Sequence, residues 1–134
     1  MGSSLVYNAR AVHHVRMTRK DIDDICAALP GAHWASHHDG GHDAWKVGDK
    51  MFACIGIKGD GVSVKCADVE SAQFLIEIGA AIKAPYFHRS WVRVMFADKD
   101  VDEVRDRIHT SYGLIRASLT KKAQATLAPW PGTP

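Results

Sequence analysis

Aromatic and cationic residues occur together in two short stretches of the sequence, Lys46 to Ala53 and Ala84 to Trp91. Cations neutralise phosphate and aromatic rings can stack on bases, so this combination is typical of contact with nucleic acid. The same residues could also form the amphipathic edge of an ordinary sheet, because Trp and Tyr often keep one end apolar and the other hydrated. Function therefore depends on the elements that position these side chains.

The spacing of apolar residues predicts the order helix, hairpin strands, helix, strand and helix. Thr18, Asp68 and Asp100 are suited to begin the three helices, and Thr120 to begin a short terminal one. Residues 32–43 indicate at most a weak strand followed by a Gly-rich loop. The order predicts an α+β fold, a two-layer domain with an antiparallel sheet of about five strands and helices on one face.

A chain of 134 residues is predicted to form one domain. We expect residues 1–17 to be an N-terminal arm, mobile or a short extra element, residues 18–127 the domain, and residues 128–134 a Pro-rich tail. Because there is no signal-peptide pattern and no apolar run of about 18 residues, we expect a cytoplasmic protein without membrane contact. The three cysteines form no Cys-x-x-Cys pair, which favours buried thiols in a reducing compartment.

Alternation along the predicted strands sorts the side chains into two faces. The helix-covered face is predicted to carry Met51, Ala53, Ile55, Ile57, Val62 and Val64. The opposite face is predicted to carry Phe52, Lys46, Cys54, Lys58, Ser63, Lys65, Trp91 and Arg93. Since the net charge is only +2, binding to nucleic acid requires local clustering of these cations.

The sequence resembles the MmcQ/YjbR family of small bacterial proteins over roughly residues 18–127. The resemblance implies a compact fold with an antiparallel sheet, similar to YjbR and CyaY, and a double-wing role in DNA binding. The wing tips would be the turns at Gly48-Asp49 and Gly59-Asp60. The signatures that match, in order, are Leu29-Pro30-Gly31, Lys46 to Ala53, Val62 to Cys66, Pro85-Tyr86 to Trp91, and Ser111-Tyr112 in the last helix.

We therefore predict a DNA-binding protein that binds weakly and largely without sequence preference, through the basic and aromatic sheet face and the wing turns. No helix-turn-helix, zinc-finger or RRM pattern supports the reading of bases. The residues predicted to contact nucleic acid are Lys46, Lys50, Lys58, Lys65, Tyr86, His88, Arg89, Trp91, Arg93, Lys121 and Lys122.

Four histidines, His33, His37, His38 and His42, lie close together in the sequence. Imidazoles in a loop can converge on zinc or nickel, but no Cys or Glu ligand accompanies these. Solvent-exposed loop histidines are the alternative, and we predict no metal and no cofactor.

The sequence contains no recognisable catalytic constellation. His88 beside Arg89 and Ser90 could serve acid–base chemistry, and Cys54 or Cys66 could be a nucleophile. A general base needs an orienting partner and a substrate pocket, and the sequence indicates neither. We therefore predict that the protein is not an enzyme.

Two other functions are consistent with the same residues. A cleft between the sheet and the last helix could bind a small planar aromatic ligand, with Trp45, Tyr86, Phe87 and Trp91 as its walls. Alternatively, the protein could be an interaction module that pairs through a sheet edge, as a monomer with another partner or as a homodimer.

Overall fold

The computed structural model describes residues 17–36, 43–56 and 58–132. These residues include a six-stranded antiparallel sheet and four helices. The strands are β1 (Ala32–Ala35), β2 (Asp43–Val47), β3 (Lys50–Ile55), β4 (Gly61–Lys65), β5 (Ile82–Lys83) and β6 (Trp91–Met95). The helices are α1 (Arg19–Ala27), α2 (Val69–Glu77), α3 (Val101–Ser118) and α4 (Lys121–Ala125). The strand order across the sheet is β1-β2-β3-β4-β6-β5.

This architecture confirms the predicted α+β fold, with one strand more than the number expected. The segment Ala32–Ala35, predicted as a weak strand at most, forms edge strand β1. Strand β5 at the other edge has only two residues, which is too short for a periodic pattern to reveal. Predictions for residues 1–16, Ile57 and residues 133–134 lie outside the described residues.

Helix starts are fixed by the local side chains that the sequence indicates. Thr18 and Asp21 form a reciprocal capping box, in which the Asp21 carboxylate accepts from the Thr18 backbone N–H at 2.7 Å. These bonds pair backbone N–H groups that have no partner inside the first helical turn. The other three helices begin after the predicted caps Asp68, Asp100 and Thr120.

The helices cover one face of the sheet, where the core lies. Pairing of Ala53 with Val64 and of Ile55 with Val62 places these four side chains on that face, as predicted. All four are buried, and Ile108 of α3 belongs to the same core cluster. The alternation pattern is thus confirmed for β4 and for the second half of β3.

A β-bulge in β3 overturns the prediction for the first half of that strand. The register between β2 and β3 shifts so that Lys46 pairs with Met51 and Phe52 has no partner on β2. The Phe52 ring turns into the core and contacts Tyr112 edge to face, with centroids 5.3 Å apart. Met51 shares the opposite face with Lys46, because the extra residue reverses the alternation before it.

Ser111 of α3 joins β3 to β4 beyond the last residue pair of their ladder. Its hydroxyl donates to the Phe52 carbonyl at 2.6 Å and accepts from the Lys65 backbone N–H at 2.9 Å. Direct pairing of the two strands ends at Ala53 and Val64, so the hydroxyl replaces a backbone hydrogen bond between them. Ser111 is fully buried, and both backbone groups would otherwise lack a partner in the core.

Tyr112, the next residue of α3, anchors the chain after α1. Its ring is fully buried and its hydroxyl donates to the Pro30 carbonyl at 2.6 Å, while Arg116 donates to that hydroxyl at 3.0 Å. Tyr112 therefore packs in the core and keeps its hydroxyl at the rim. The ring also contacts Trp130 at 4.7 Å between centroids, so the Pro-rich tail packs on α3 as far as that residue.

We expect Ser111→Ala to lower the free energy of unfolding by about 3 kcal/mol, because two buried backbone groups lose their shared partner. The melting temperature should fall by roughly 10 °C, measured by circular dichroism. Gln73→Ala, which shortens an exposed side chain of α2, is the control and should change stability by less than about 0.5 kcal/mol. An equal melting temperature for the two variants would show that the bridge does not stabilise the fold.

Candidate nucleic-acid interface

The face of the sheet opposite the helices, here called the outer face, brings most of the predicted site residues together. Pairing places Ser63 between Cys54 and Arg93 on three neighbouring strands, and Lys65 opposite Trp91. Lys46 of β2 lies on the same face, because it alternates with core-facing neighbours. The predicted placement of these six side chains is confirmed, and their role in binding stays a prediction.

A row of small side chains crosses the outer face. The strand pairings align Ala35, Ala44, Cys54 and Ser63 on β1 to β4. Longer side chains, Lys46 and others, lie on the neighbouring row. The small row leaves a shallow depression in the middle of the sheet, since no side chain in it extends far from the backbone.

The segment from Ala84 to Ser90, here called the Pro85 loop, folds over part of this face. The Phe87 ring stacks on the Trp91 ring, with centroids 4.9 Å apart and an angle of 26° between the planes. The Ser90 carbonyl accepts from the Cys66 backbone N–H at 2.7 Å. These contacts hold the loop against the strands that it connects.

Lys65 holds the same loop from the sheet through Ser90. Its Nζ donates to Ser90 Oγ at 2.8 Å, and Ser90 Oγ lies 2.9 Å from His88 Nδ1. The Ser90 backbone N–H also donates to that nitrogen at 3.1 Å, so His88 Nδ1 is an acceptor and its ring proton is on Nε2. Ser90 is only 2% exposed, so its hydroxyl orients Lys65 and His88 and is not open to a substrate.

Tyr86 is the most unusual residue of the Pro85 loop. Its backbone lies in the left-handed region, with φ of 72°, and its side chain is 98% exposed. A residue other than glycine reaches that region at a cost of roughly 1 kcal/mol or more, and such residues are frequent at functional sites. The loop therefore holds a bare aromatic ring away from the protein surface.

A pocket of about 90 Å³ lies between the Pro85 loop and the outer face. Within it, the Ser63 side chain is only 7% exposed, and no hydrogen bond to it is found among the described residues. The lining residues are Cys54, Gly56, Ser63, Pro85, Tyr86, Phe87 and Arg93.

This location corrects the cleft that the sequence predicted for an aromatic ligand. Tyr86 and Phe87 line the pocket, but it lies on the side of the sheet away from α3. Trp45 belongs to the helix layer, where its indole N–H donates to Asp23 at 2.9 Å. Trp91 is covered by the stacked Phe87 ring, so it is not a wall of the pocket.

Arg93 is less available to phosphate than the sequence predicted. Its Nη2 donates to Asp60 Oδ1 at 2.8 Å in the turn between β3 and β4. A side chain at Gly61 would come within 3.2 Å of Arg93 Nε, so this glycine makes room for the guanidinium to lie along the face. The ion pair leaves Arg93 as a largely neutralised donor at the pocket.

Three other cations that were predicted to contact nucleic acid lie in the helix layer, away from the outer face. Lys50 pairs with core-facing Val47, and its Nζ donates to the Ser118 carbonyl at 3.2 Å, where the negative end of the α3 dipole favours a cation. Lys121 and Lys122 lie on α4, which packs on the core through residues outside the sheet.

The two predicted wing turns lie at opposite ends of β3, because one precedes that strand and the other follows it. A six-residue strand spans roughly 20 Å, so a ligand touching both turns must run along the strand. Lys58, His88 and Arg89 are exposed in the turns and the loop and are free to face such a ligand.

The histidine group is only partly within the described residues. His33 is exposed on β1, and its Nδ1 lies 3.3 Å from the Gly31 carbonyl. His37, His38 and His42 lie outside the described ranges. In the part of the chain that is described, no three His, Cys, Asp or Glu side chains are grouped to hold a metal ion.

The same described ranges contain no helix that is both long and apolar enough to cross a membrane.

The surface and fold define a class of small α+β domains whose sheet keeps one face, with cations and aromatic rings, free of helices. The YjbR family model matches residues 27–114, and the protein belongs to the YjbR family. The chain is similar in fold to the crystal structure of protein DR2400 of Deinococcus radiodurans, family-model domain DUF419, with 20% identity and a TM-score of 0.71. That match covers 83% of this chain and 88% of the other. No curated protein matches the sequence.

All three cysteines are free and buried. Burial raises the pKa of the Cys54 thiol to about 11 and that of Cys26 to about 12, and it also raises the pKa of Cys66. Thiolate is the nucleophilic form, so a higher pKa lowers reactivity at neutral pH. The cysteines are therefore suited to packing and, at Cys54, to acting as a neutral wall of the pocket.

At pH 8, we expect iodoacetamide to alkylate Cys54 of the native protein about a hundredfold more slowly than a cysteine in a short peptide, since a pKa two units higher leaves about a hundredth of the thiolate. Mass spectrometry of quenched samples measures the rate. The guanidinium-unfolded chain is the control and should react at the peptide rate. Rapid labelling of Cys54 in the native protein would contradict its burial as a neutral thiol.

Proposed function

We propose that the protein binds DNA through the outer face and the Pro85 loop, chiefly by contacts to phosphate and without strong sequence preference. One observation carries the proposal. Lys46, Lys65 and Arg89 lie on this surface, and in the described part of the chain neither the outward-facing strand positions nor the Pro85 loop includes an Asp or Glu. Such a surface attracts a polyanion even when the whole chain carries a net charge of only +2.

The distribution of acids supports the proposal. Asp60 is the acid at the rim of this surface, and its carboxylate is paired with Arg93. Other carboxylates, including Asp23 and Asp24, bind cations on α1, in the opposite layer. The half-buried Lys46 and Lys65 and the exposed Arg89 are thus left to neutralise phosphate.

The shape of the surface favours contact with the backbone over base reading in a groove. The helices pack against the opposite face, so none of them is presented for insertion into the major groove. Point charges such as Lys46 and Lys58 fix position along a polyanion but carry no sequence information.

We propose binding rather than catalysis for the same surface. The hydroxyl nearest to a histidine belongs to Ser90 and is buried. The Cys54 thiol in the pocket has a raised pKa. Neither group is suited to act as an accessible nucleophile at neutral pH.

Self-association is a second candidate function. Edge strand β5 exposes Ile82, and neighbouring α2 exposes Phe74 and Ile78. Exposed apolar side chains beside an unpaired strand edge favour pairing with another chain. Light scattering after size-exclusion chromatography at two concentrations distinguishes a homodimer from a monomer.

We expect the double substitution Lys46→Gln with Arg89→Gln to weaken DNA binding about tenfold at low salt. Neither side chain makes a hydrogen bond or ion pair within the described residues, so the fold should be unaffected. A plot of log K against log salt for duplex DNA should become less steep by about 1.8, from two lost phosphate contacts. Fluorescence anisotropy at several NaCl concentrations measures both quantities.

The matched control is Lys121→Gln with Lys122→Gln, which removes the same charge from the helix layer. It should leave the salt slope within about 0.5 of the unmodified protein, because α4 is not part of the outer face. Equal losses from the two double variants would show that binding follows net charge and would reject this surface as the interface.

A further inference from the structure

We infer that the pocket beside Tyr86 receives one unpaired base of the bound DNA, so that the protein prefers single-stranded or locally opened DNA to intact duplex. This inference rests on the proposed function. It assigns the pocket and Tyr86 a role that phosphate binding alone does not explain.

The first support is the Tyr86 ring. It is held at the rim of the pocket by a turn in which the Phe87 backbone N–H donates to the Ala84 carbonyl at 3.3 Å. Phe87 stacks on Trp91, whereas 98% of Tyr86 is left open to solvent. An exposed ring on a loop whose backbone is held offers a stacking platform to any base, since every base has a π-face.

The second support is the chemistry of the pocket wall. Ser63 is only 7% exposed, and its hydroxyl, which has no hydrogen-bond partner among the described residues, opens into the pocket. Arg93 lines the same pocket and uses one of its N–H groups for Asp60. Cys54 adds a protonated thiol. Donors therefore predominate, and they suit a ring edge with carbonyl or ring-nitrogen acceptors, as in thymine and cytosine.

The charge of the pocket favours a base over a phosphate. Asp60 neutralises Arg93 at 2.8 Å, so the pocket has little net charge to attract a dianion. Its volume of about 90 Å³ is smaller than the cavity of about 150 Å³ that takes a benzene ring, so it has room for the edge of one base and not for a whole nucleotide. The phosphates would remain outside, near Lys65 and Arg89.

An intact duplex cannot use this arrangement. Its bases stack on both faces and pair along one edge, so none can meet Tyr86 and enter the pocket without leaving the helix. An unpaired base has a free face for the ring and a free edge for Ser63. The geometry therefore discriminates between single-stranded and duplex DNA and not between base sequences.

The experiment compares a fluorescent 20-mer of thymidine with a random duplex of the same length by anisotropy at one salt concentration. The unmodified protein should bind the single strand at least about tenfold more tightly. Tyr86→Ala should weaken single-strand binding about tenfold, because one stack is lost, and change duplex binding less than twofold. Tyr86→Phe keeps the ring and is the control, with binding within about twofold of the unmodified protein.

Two further arms test the pocket itself. Ser63→Ala should weaken binding of the thymidine strand about fivefold, from the loss of one hydrogen bond. A 20-mer of abasic sites keeps the phosphates but lacks bases, and it should bind the unmodified protein more weakly than thymidine strands bind Tyr86→Ala, because the stack and the Ser63 hydrogen bond are both lost. Circular dichroism checks independently that the Ser63→Ala and Tyr86→Ala variants are folded.

The outcomes separate the inference from the proposed function. Equal affinity for single strand and duplex, with no effect of Tyr86→Ala, would overturn the base pocket and leave phosphate binding intact. No binding of either DNA at low salt would overturn the proposed function and the inference with it.

Discussion

The hydrogen bonds of Ser111 connect the parts of this fold that carry its surface. The hydroxyl joins the Phe52 carbonyl of β3 to the Lys65 backbone N–H of β4, and it comes from α3 in the opposite layer. This bridge satisfies the Phe52 and Lys65 backbone groups beyond the point where direct pairing of β3 with β4 ends. The ring of Phe52 can then enter the core against Tyr112.

Lys65 links the Ser111 hydrogen bonds to the outer face. Its backbone N–H is bound by α3, whereas its ammonium group binds Ser90 and so holds the Pro85 loop. One residue thus ties the helix layer, the sheet and the loop together through two hydrogen bonds on opposite sides of the strand. The position of Tyr86 depends on that loop, so the shape of the candidate interface is set from within the core.

Local and periodic features of the fold were predictable from the sequence, and the exceptions have physical reasons. Caps such as Thr18 and Asp68 act within one helical turn, so their effect is encoded in neighbouring residues. The bulge was not predictable, because Met51, Phe52 and Ala53 are all apolar and an extra residue leaves no break in their pattern. Strand β1 was underestimated for a similar reason, since its four residues are only partly buried.

The sequence predicted which residues share the outer face better than it predicted the contacts that those residues make. Alternation placed Lys65, Trp91 and Arg93 on one face, but not the ion pair between Arg93 and Asp60, which are 33 residues apart. Lys50 was predicted to contact nucleic acid because it lies beside a wing turn, whereas its position opposite core-facing Val47 turns it to the helix layer. Such long-range partners arise from tertiary structure and have no local signal.

The two faces of the sheet differ in the size of the side chains that they present. Against the helices, the sheet presents Val62 and Val92, whose branched side chains fill the space between layers. On the outer face, Ala44, Cys54 and Ser63 fill little space, although long polar side chains would solvate such a face and protect it from aggregation. A depression lined with donors, beside a strained and exposed aromatic ring, contributes little to core packing, which is the physical ground for assigning this face to binding.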